Sequence, residues 1–314
     1  MRDHVDNYVN RPSTDTLYNL RDAVQAVLDK PSHLTDEAPL LGVDPIEEPD
    51  RFRAHFNTHG VAIASNAVDA PTCDYAAVRL KDMLTNLAGL DLSDPQTWDR
   101  LITDPEGTDL LGRGFAEITH DDGLAQVRQS VGMWVAGALI WGRTDILSTF
   151  DRYAVKLPGR SGTIPLPLHL DQNPTRQPEF ACVQGLVALV DNPERNGVFQ
   201  VVPGSKHRFS GFEQRGRHYK EYLPLEDEVG DSPLREHTRN VALKRGDAVF
   251  WDSRTVHASS RAAASAAAAN PVAEGVRIMA MVAYWVENPQ AYTDKPHVAT
   301  PAALALLDSQ RVAY

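Results

Sequence analysis

From residue 153 onward the chain is a succession of short apolar runs separated by turn residues, and this punctuation restricts the architecture more than any other feature. The runs are residues 153–157 (YAVKL), 164–170 with interspersed prolines, 182–190 (CVQGLVALV), 198–202 (VFQVV), 241–243, 248–251 (AVFW) and 276–286 (VRIMAMVAYWV). Pro158-Gly159, Pro203-Gly204-Ser205 and Gly246-Asp247 between them supply turn chemistry. Strands this short and numerous bury their apolar faces by packing sheet on sheet or by closing a barrel. The Ala-rich stretch 262–269 reads as a loop inserted between two of them, with a short helix as the alternative.

The first half has a different texture. Residues 14–28 place Leu17, Leu20, Val24 and Leu28 at helical spacing, with Ser13 or Thr14 available as a cap. Residues 71–87 are amphipathic, and Gly89 is a suitable stop; residues 127–147 predict one buried helix stopped by Gly142. Phe52 and Phe56 precede a short apolar run at 60–64 that reads as a strand. The expected organisation is one domain over residues 1–314: a mostly helical part (1–150), a β-core carrying the functional site (151–290) and a C-terminal tail (291–314). A chain of 314 residues can bury a sizeable core.

Charge and cysteine usage narrow the partners. Lys and Arg total 31 against 42 Asp and Glu, a formal net charge of −11. Binding to nucleic acid depends on clustered cations, and here the basic residues gather only around Lys206-His207-Arg208 and 215–220, so no nucleic-acid partner is expected. No run is apolar for long enough to cross a bilayer, and the polar start of the chain lacks the core of a secretory signal. Cys73 and Cys182 are far apart and form no CxxC, which fits free thiols in a reducing cytoplasm. A small-molecule substrate is expected; nothing in the sequence sets the oligomeric state.

The segment that carries chemistry is Leu168-His169-Leu170-Asp171. Residues two apart on a strand share a face, so His169 and Asp171 can present an imidazole and a carboxylate side by side. His257, just beyond the strand at 248–251, is the candidate third ligand. Two imidazoles and one carboxylate leave part of a metal's coordination sphere open, the arrangement of non-haem Fe(II) oxygenases. The same HxD spacing recurs at His120-Asp121-Asp122, but without strand character before it; that copy reads as a polar turn and helix cap.

From residue 52 to 286 the chain resembles the phytanoyl-CoA dioxygenase-like family of Fe(II)/2-oxoglutarate oxygenases. The matching pieces are FRAHFNTHGVAIA, VKLPG, LPLHLDQNP, VQGLVALVD, NGVFQVVPGSKHRF, LKRGDAVFWDSRTVHASS and VRIMAMVAYW, in that order. The joint occurrence of HLD, VVPGSKH and a distal VH is more specific than any one of them. The resemblance implies a mainly β fold with α, a double-stranded β-helix (jelly-roll, cupin-like) core with helices packed outside. It also implies iron, 2-oxoglutarate and O2 as the reacting partners. The co-substrate's distal carboxylate then needs a cationic anchor, for which the planar fork of Arg suits better than Lys. In the family this Arg follows the distal His on the next strand. Arg277, flanked by apolar strand residues, is preferred over Arg261, which lies in HASSRAAAS. Ser259 matches a hydroxyl that supports the same carboxylate, and Lys156 is placed to touch it from the neighbouring strand; a turn serine and a snorkelling lysine are the plain alternatives.

The pattern departs from the best-known lipid-acting members at Asp171-Gln172-Asn173-Pro174 and at the VRQS segment of 127–130. Gln172, Asn173, Gln184 and Arg128 are candidates for the substrate side, with ordinary packing as their default, and His207 reads as a surface residue. The expected reaction is hydroxylation, because Asp171 fills the place that a small residue takes in related halogenases. Two rivals use the same β-core: a cupin-like metalloenzyme without 2-oxoglutarate, and a non-catalytic binding module. Arg277 and Ser259 speak against the first, and an intact His169, Asp171 and His257 against the second.

Overall fold

Apolar spacing at three and four residues produces the helices that open the chain. In the computed structural model, which describes residues 14–30, 37–100, 114–116, 118–149, 152–158, 165–219, 222–226, 232–261 and 276–286, α1 (Thr14–Leu28) buries Leu20 and Val24. Ser13 lies outside the described residues. Helix α2 (Pro49–His59) buries Phe52 and Phe56. Helix α3 (Ala70–Ala88) starts at Asp69, whose carboxylate accepts from the Thr72 N–H at 2.7 Å, and stops at Gly89 in the left-handed conformation.

The single helix expected over 127–147 is instead two helices and a strand. Helix α4 (Asp122–Gln129) ends where Ser130 turns to an extended ψ of 132°, and α5 (Val131–Trp141) runs on to Gly142, the predicted stop. Gly132 at the start of α5 lies against the Ala67 backbone, where a Cβ would meet Ala67 Cα at 2.8 Å. Helix α5 is apolar on every side because eight of its residues are buried, so its pattern holds no period from which a break could be read. His120-Asp121-Asp122 forms the polar turn and cap that starts α4, with Asp121 as the N-cap. Asp121 accepts from the Gly123 and Leu124 N–H groups at 2.9 and 3.3 Å, and also from Tyr153 Oη at 2.6 Å and Arg79 Nε at 3.0 Å.

In chain order the strands are β1 (Gly42–Val43), β2 (Val61–Ala64), β3 (Phe115–Ala116), β4 (Ile146–Ser148), β5 (Tyr153–Lys156), β6 (Leu166–Leu170), β7 (Val183–Ala188), β8 (Phe199–Val201), β9 (Leu223–Pro224), β10 (Arg239–Val241), β11 (Ala248–Asp252), β12 (His257–Ser259) and β13 (Arg277–Val286). The larger sheet has the order β1-β2-β11-β7-β13-β5-β3, with β4 also on β13; the smaller is β10-β8-β12-β6-β9. Every described pair is antiparallel except β1 with β2. This is the double-stranded β-helix core, its two sheets hydrogen-bonded separately and not closed into one another.

Alternation along β11 shows how the layers form. Phe250 points out to the helices, packing edge-on against Phe52 at 6.4 Å, while Val249 and Trp251 point in among Ile63, Leu186, Val201 and Met279. Each side chain of this size, fully buried, contributes about 1.5–3 kcal/mol. The tight turn before β11 needs Gly246: its φ is 89°, and Val68 O sits where a Cβ would go. No helix among the described residues is long and apolar enough to cross a membrane.

Candidate metal centre

Antiparallel pairing of β6 with β12 makes His169 and His257 direct cross-strand partners, with ring centroids 4.1 Å apart. Asp171 lies one residue beyond β6 and turns to the same side. Its Oδ1 is 3.3 Å from His169 Nε2 and its Oδ2 is 3.1 Å from His257 Nε2. One ligand atom from each of the three lies within 4.8 Å of the others, a spacing that fits a shared metal ion. Both imidazoles are already oriented for ligation. His169 Nδ1 faces Pro167 O at 2.7 Å and His257 Nδ1 faces Thr255 O at 2.9 Å. A carbonyl only accepts, so Nδ1 carries the proton in each ring and the Nε2 lone pair is left for a metal.

The local field disfavours protonation of His169 and favours the ionised Asp171 carboxylate. Burial, reinforced by the neighbouring His257, pushes His169 below its usual range. Burial opposes ionisation of Asp171, but the two histidines beside its oxygens overcome it and hold the carboxyl well below the usual value. The histidines are buried, whereas 32% of the Asp171 side chain is exposed, so a ligand can reach the triad from that side.

A second cluster lies along β5 and β13, where Lys156 and Arg277 are register partners. Arg277 is 3% exposed; its Nη1 donates to Gly197 O at 3.0 Å and lies 3.4 Å from Ser259 Oγ, and its Nε faces Met279 Sδ. Lys156 Nζ donates to Ser259 Oγ at 2.6 Å and to Ser260 O. Burial lowers Arg277 to about 10, and burial together with Arg277 lowers Lys156 to about 7. Among the described residues no Asp or Glu pairs with either. Two buried cations without a counter-ion are costly, and the cost is relieved by an anionic ligand between them. Arg261 is exposed.

Residues 56–267, well over half of the chain, match the family described as phytanoyl-CoA dioxygenase (PhyH). The chain belongs to the phytanoyl-CoA dioxygenase family. It is thus an oxygenase-type enzyme dependent on non-haem iron and 2-oxoglutarate. A relative from Aspergillus versicolor, "Ava biosynthesis cluster protein O", is 28% identical over 250 residues, covering 74% of this chain and 79% of that one. Among solved structures, the epimerase SnoN in complex with Fe3+, alpha ketoglutarate and nogalamycin RO aligns with a TM-score of 0.51 at 18% identity, over 77% of this chain and 85% of that one. EctD from S. alaskensis, with 2-oxoglutarate and 5-hydroxyectoine, aligns with a TM-score of 0.50 at 18% identity, over 83% and 80%. At such identities the likeness is one of fold.

Other residues of this phytanoyl-CoA dioxygenase family member fall into place around the triad. Gln172 holds the loop after β6: it donates to Gln177 O and Glu179 O and accepts from Ser253 Oγ at 2.6 Å. Asn173 donates to Gly216 O and Tyr219 O, each at 2.9 Å, which is again loop packing. Arg128 is buried in α4, in the field of Tyr153, and His207 is exposed with Nε2 at 2.9 Å from Thr58 O. Gln184 donates to Asp171 Oδ2 at 2.5 Å. Three further side chains pack on the imidazoles without any motif to mark them in the sequence. Tyr222 stacks on His169 at 4.8 Å and 28°, and Trp251 and Phe199 pack on His257 at 5.3 and 5.6 Å. Alternation along residues 248–252 could have revealed Trp251; Tyr222 sits in a charged segment that carries no such signal.

Proposed function

We propose that the chain is an Fe(II)- and 2-oxoglutarate-dependent dioxygenase that hydroxylates an unactivated C–H bond of a small molecule, releasing succinate and CO2. His169, Asp171 and His257 hold the iron; Arg277, Ser259 and Lys156 take the distal carboxylate of the co-substrate. The observation that carries the reading is the conjunction of an N,N,O donor set with two buried cations that no acid pairs among the described residues, on the same β-core. A cupin-like enzyme without 2-oxoglutarate has no use for that pair, and a binding module has none for the triad.

Bound iron, with 2-oxoglutarate and O2, supplies the oxidative decarboxylation and the removal of a hydrogen atom from the substrate. The protein's share is positional. Pro167 O and Thr255 O fix the histidine tautomers, Ser259 gives the anchoring cations a shared hydroxyl, and Tyr222, Trp251 and Phe199 pack around the imidazoles. Asp171 occupies the position that halide-transferring relatives leave open, which favours hydroxylation. The name of the Aspergillus versicolor relative, and the nogalamycin and ectoine compounds in the SnoN and EctD structures, support a biosynthetic small molecule as substrate. We place the enzyme in the cytoplasm, consistent with a buried free thiol at Cys73, and read helices and β-core as one domain sharing a core.

The test is anaerobic reconstitution with Fe(II), then O2 and 2-oxoglutarate, with succinate measured against a chelated control. Succinate formed only in the metal-loaded protein, and a substrate pool gaining one labelled oxygen atom from O2, is the expected result. Full iron binding with no consumption of 2-oxoglutarate would instead favour the cupin-like alternative.

A further inference from the structure

Gln184 lies in the middle of the larger sheet, in register with Trp251 of β11 and Ala283 of β13. Its side chain shares the inward face of β7 with Leu186 and Ala188, both part of the apolar filling between the sheets. A primary amide on that face needs a polar partner, and the partner is on the opposite sheet: Nε2 donates to Asp171 Oδ2 at 2.5 Å. The amide orientation is unambiguous, because an ionised carboxylate only accepts. Asp171 itself stands beyond the last residue of β6, outside the ladder, so the strand pairing does not set its side-chain direction.

We infer that Gln184 is a positioning residue that holds Asp171 to coordination of the metal through one oxygen. This rests on the iron site described above. An N–H on Oδ2 withdraws electron density from that oxygen and ties it to β7, leaving Oδ1 as the better donor. A carboxylate bound through both oxygens would take one more position on the metal, in competition with the chelating co-substrate or O2. Hydrogen bonds to metal ligands of this kind change metal affinity by about 10–100-fold when removed.

The experiment uses the full chain stripped of metal, titrated with Mn(II) by electron paramagnetic resonance and with Co(II) by visible absorption. Gln184→Met fills the same space without the N–H, and Gln184→Glu keeps the shape but replaces the donor with an acceptor. Both are expected to bind Mn(II) at least about ten-fold more weakly and to show a Co(II) spectrum altered in intensity and position, with metal-free melting unchanged. Asp171→Ala serves as reference. Should Asp171→Ala bind Mn(II) like wild type, the metal-site assignment itself fails. Should Asp171→Ala lose binding while both Gln184 variants keep wild-type affinity and the wild-type Co(II) spectrum, only the role of Gln184 is overturned. If one variant does not fold, the other carries the same comparison.

Discussion

Lys156 and Arg277 face each other across β5 and β13, and the ammonium and guanidinium share the Ser259 hydroxyl, with no acid between them among the described residues. The ammonium is the member that yields. Burial, then the charge of Arg277, brings Lys156 to about 7, against 10.5 when solvated. The unfolded chain therefore binds more protons than the folded one between pH 7 and 10.5, and metal-free stability contributed by this group rises with pH across that window. An incoming carboxylate reverses the balance by favouring the charged form. We predict that 2-oxoglutarate binding takes up a proton above pH 7 and weakens as pH rises further. Calorimetry in buffers of different ionisation enthalpy measures the uptake, and Lys156→Met should abolish it; equal heats in all buffers for wild type would refute the idea.

Arg277 and Arg261 make opposite predictions. Arg277 is buried in the cluster and Arg261 is exposed. Arg277→Ala should weaken 2-oxoglutarate by about 2–5 kcal/mol, as expected on truncating one partner of a buried, hydrogen-bonded charge pair. Arg277→Lys should recover part of this, because the charge survives but the fork does not. Arg261→Ala should leave the KM for 2-oxoglutarate unchanged. A KM that responds to Arg261 and not to Arg277 would move the anchor.

Metal binding should register as stability. A ligand that binds only the folded state at one hundred times its Kd stabilises by about 2.7 kcal/mol. Anaerobic Fe(II), or Mn(II) in air, is therefore expected to raise the melting temperature of wild type and to leave His257→Ala unaffected. An equal rise in both proteins would place the bound ion elsewhere.

Much of this site was legible because it rests on local geometry. The spacing of two brings His169, in β6, and Asp171, one residue past its end, to one side, and the apolar neighbours of Arg277 mark it as a strand residue despite the Ala-rich insertion before it. What escaped depends on how separate layers meet. The Gln184 to Asp171 hydrogen bond joins two sheets whose approach no spacing in sequence encodes, and Tyr222 reaches His169 from a charged segment. The turn at Ser130 was hidden for another reason: a helix buried on all sides carries no apolar stripe, so its ends are marked only by residues such as Gly142. The two copies of HxD show the same lesson from the other side, since what separates them is the strand context and not the triplet.

That distinction can be measured. At the upstream copy Asp121 caps α4 and accepts from Tyr153 Oη, which is fully buried. Asp121→Ala removes a cap worth about 1 kcal/mol and the closer of two acceptors of the Tyr153 hydroxyl, which keeps Ala76 O at 3.3 Å, at a further cost of about 0.5–1.5 kcal/mol. Denaturant unfolding should show a loss of roughly 1.5–2.5 kcal/mol, the sum of those two effects. His120→Ala and Asp122→Ala change exposed side chains and should be mild. None of the three should change Mn(II) affinity if the metal is held, as proposed, by His169, Asp171 and His257. A variant at 120 or 122 that lost Mn(II) while remaining folded would transfer the metal to the first copy, and the β-core triad would lose its role.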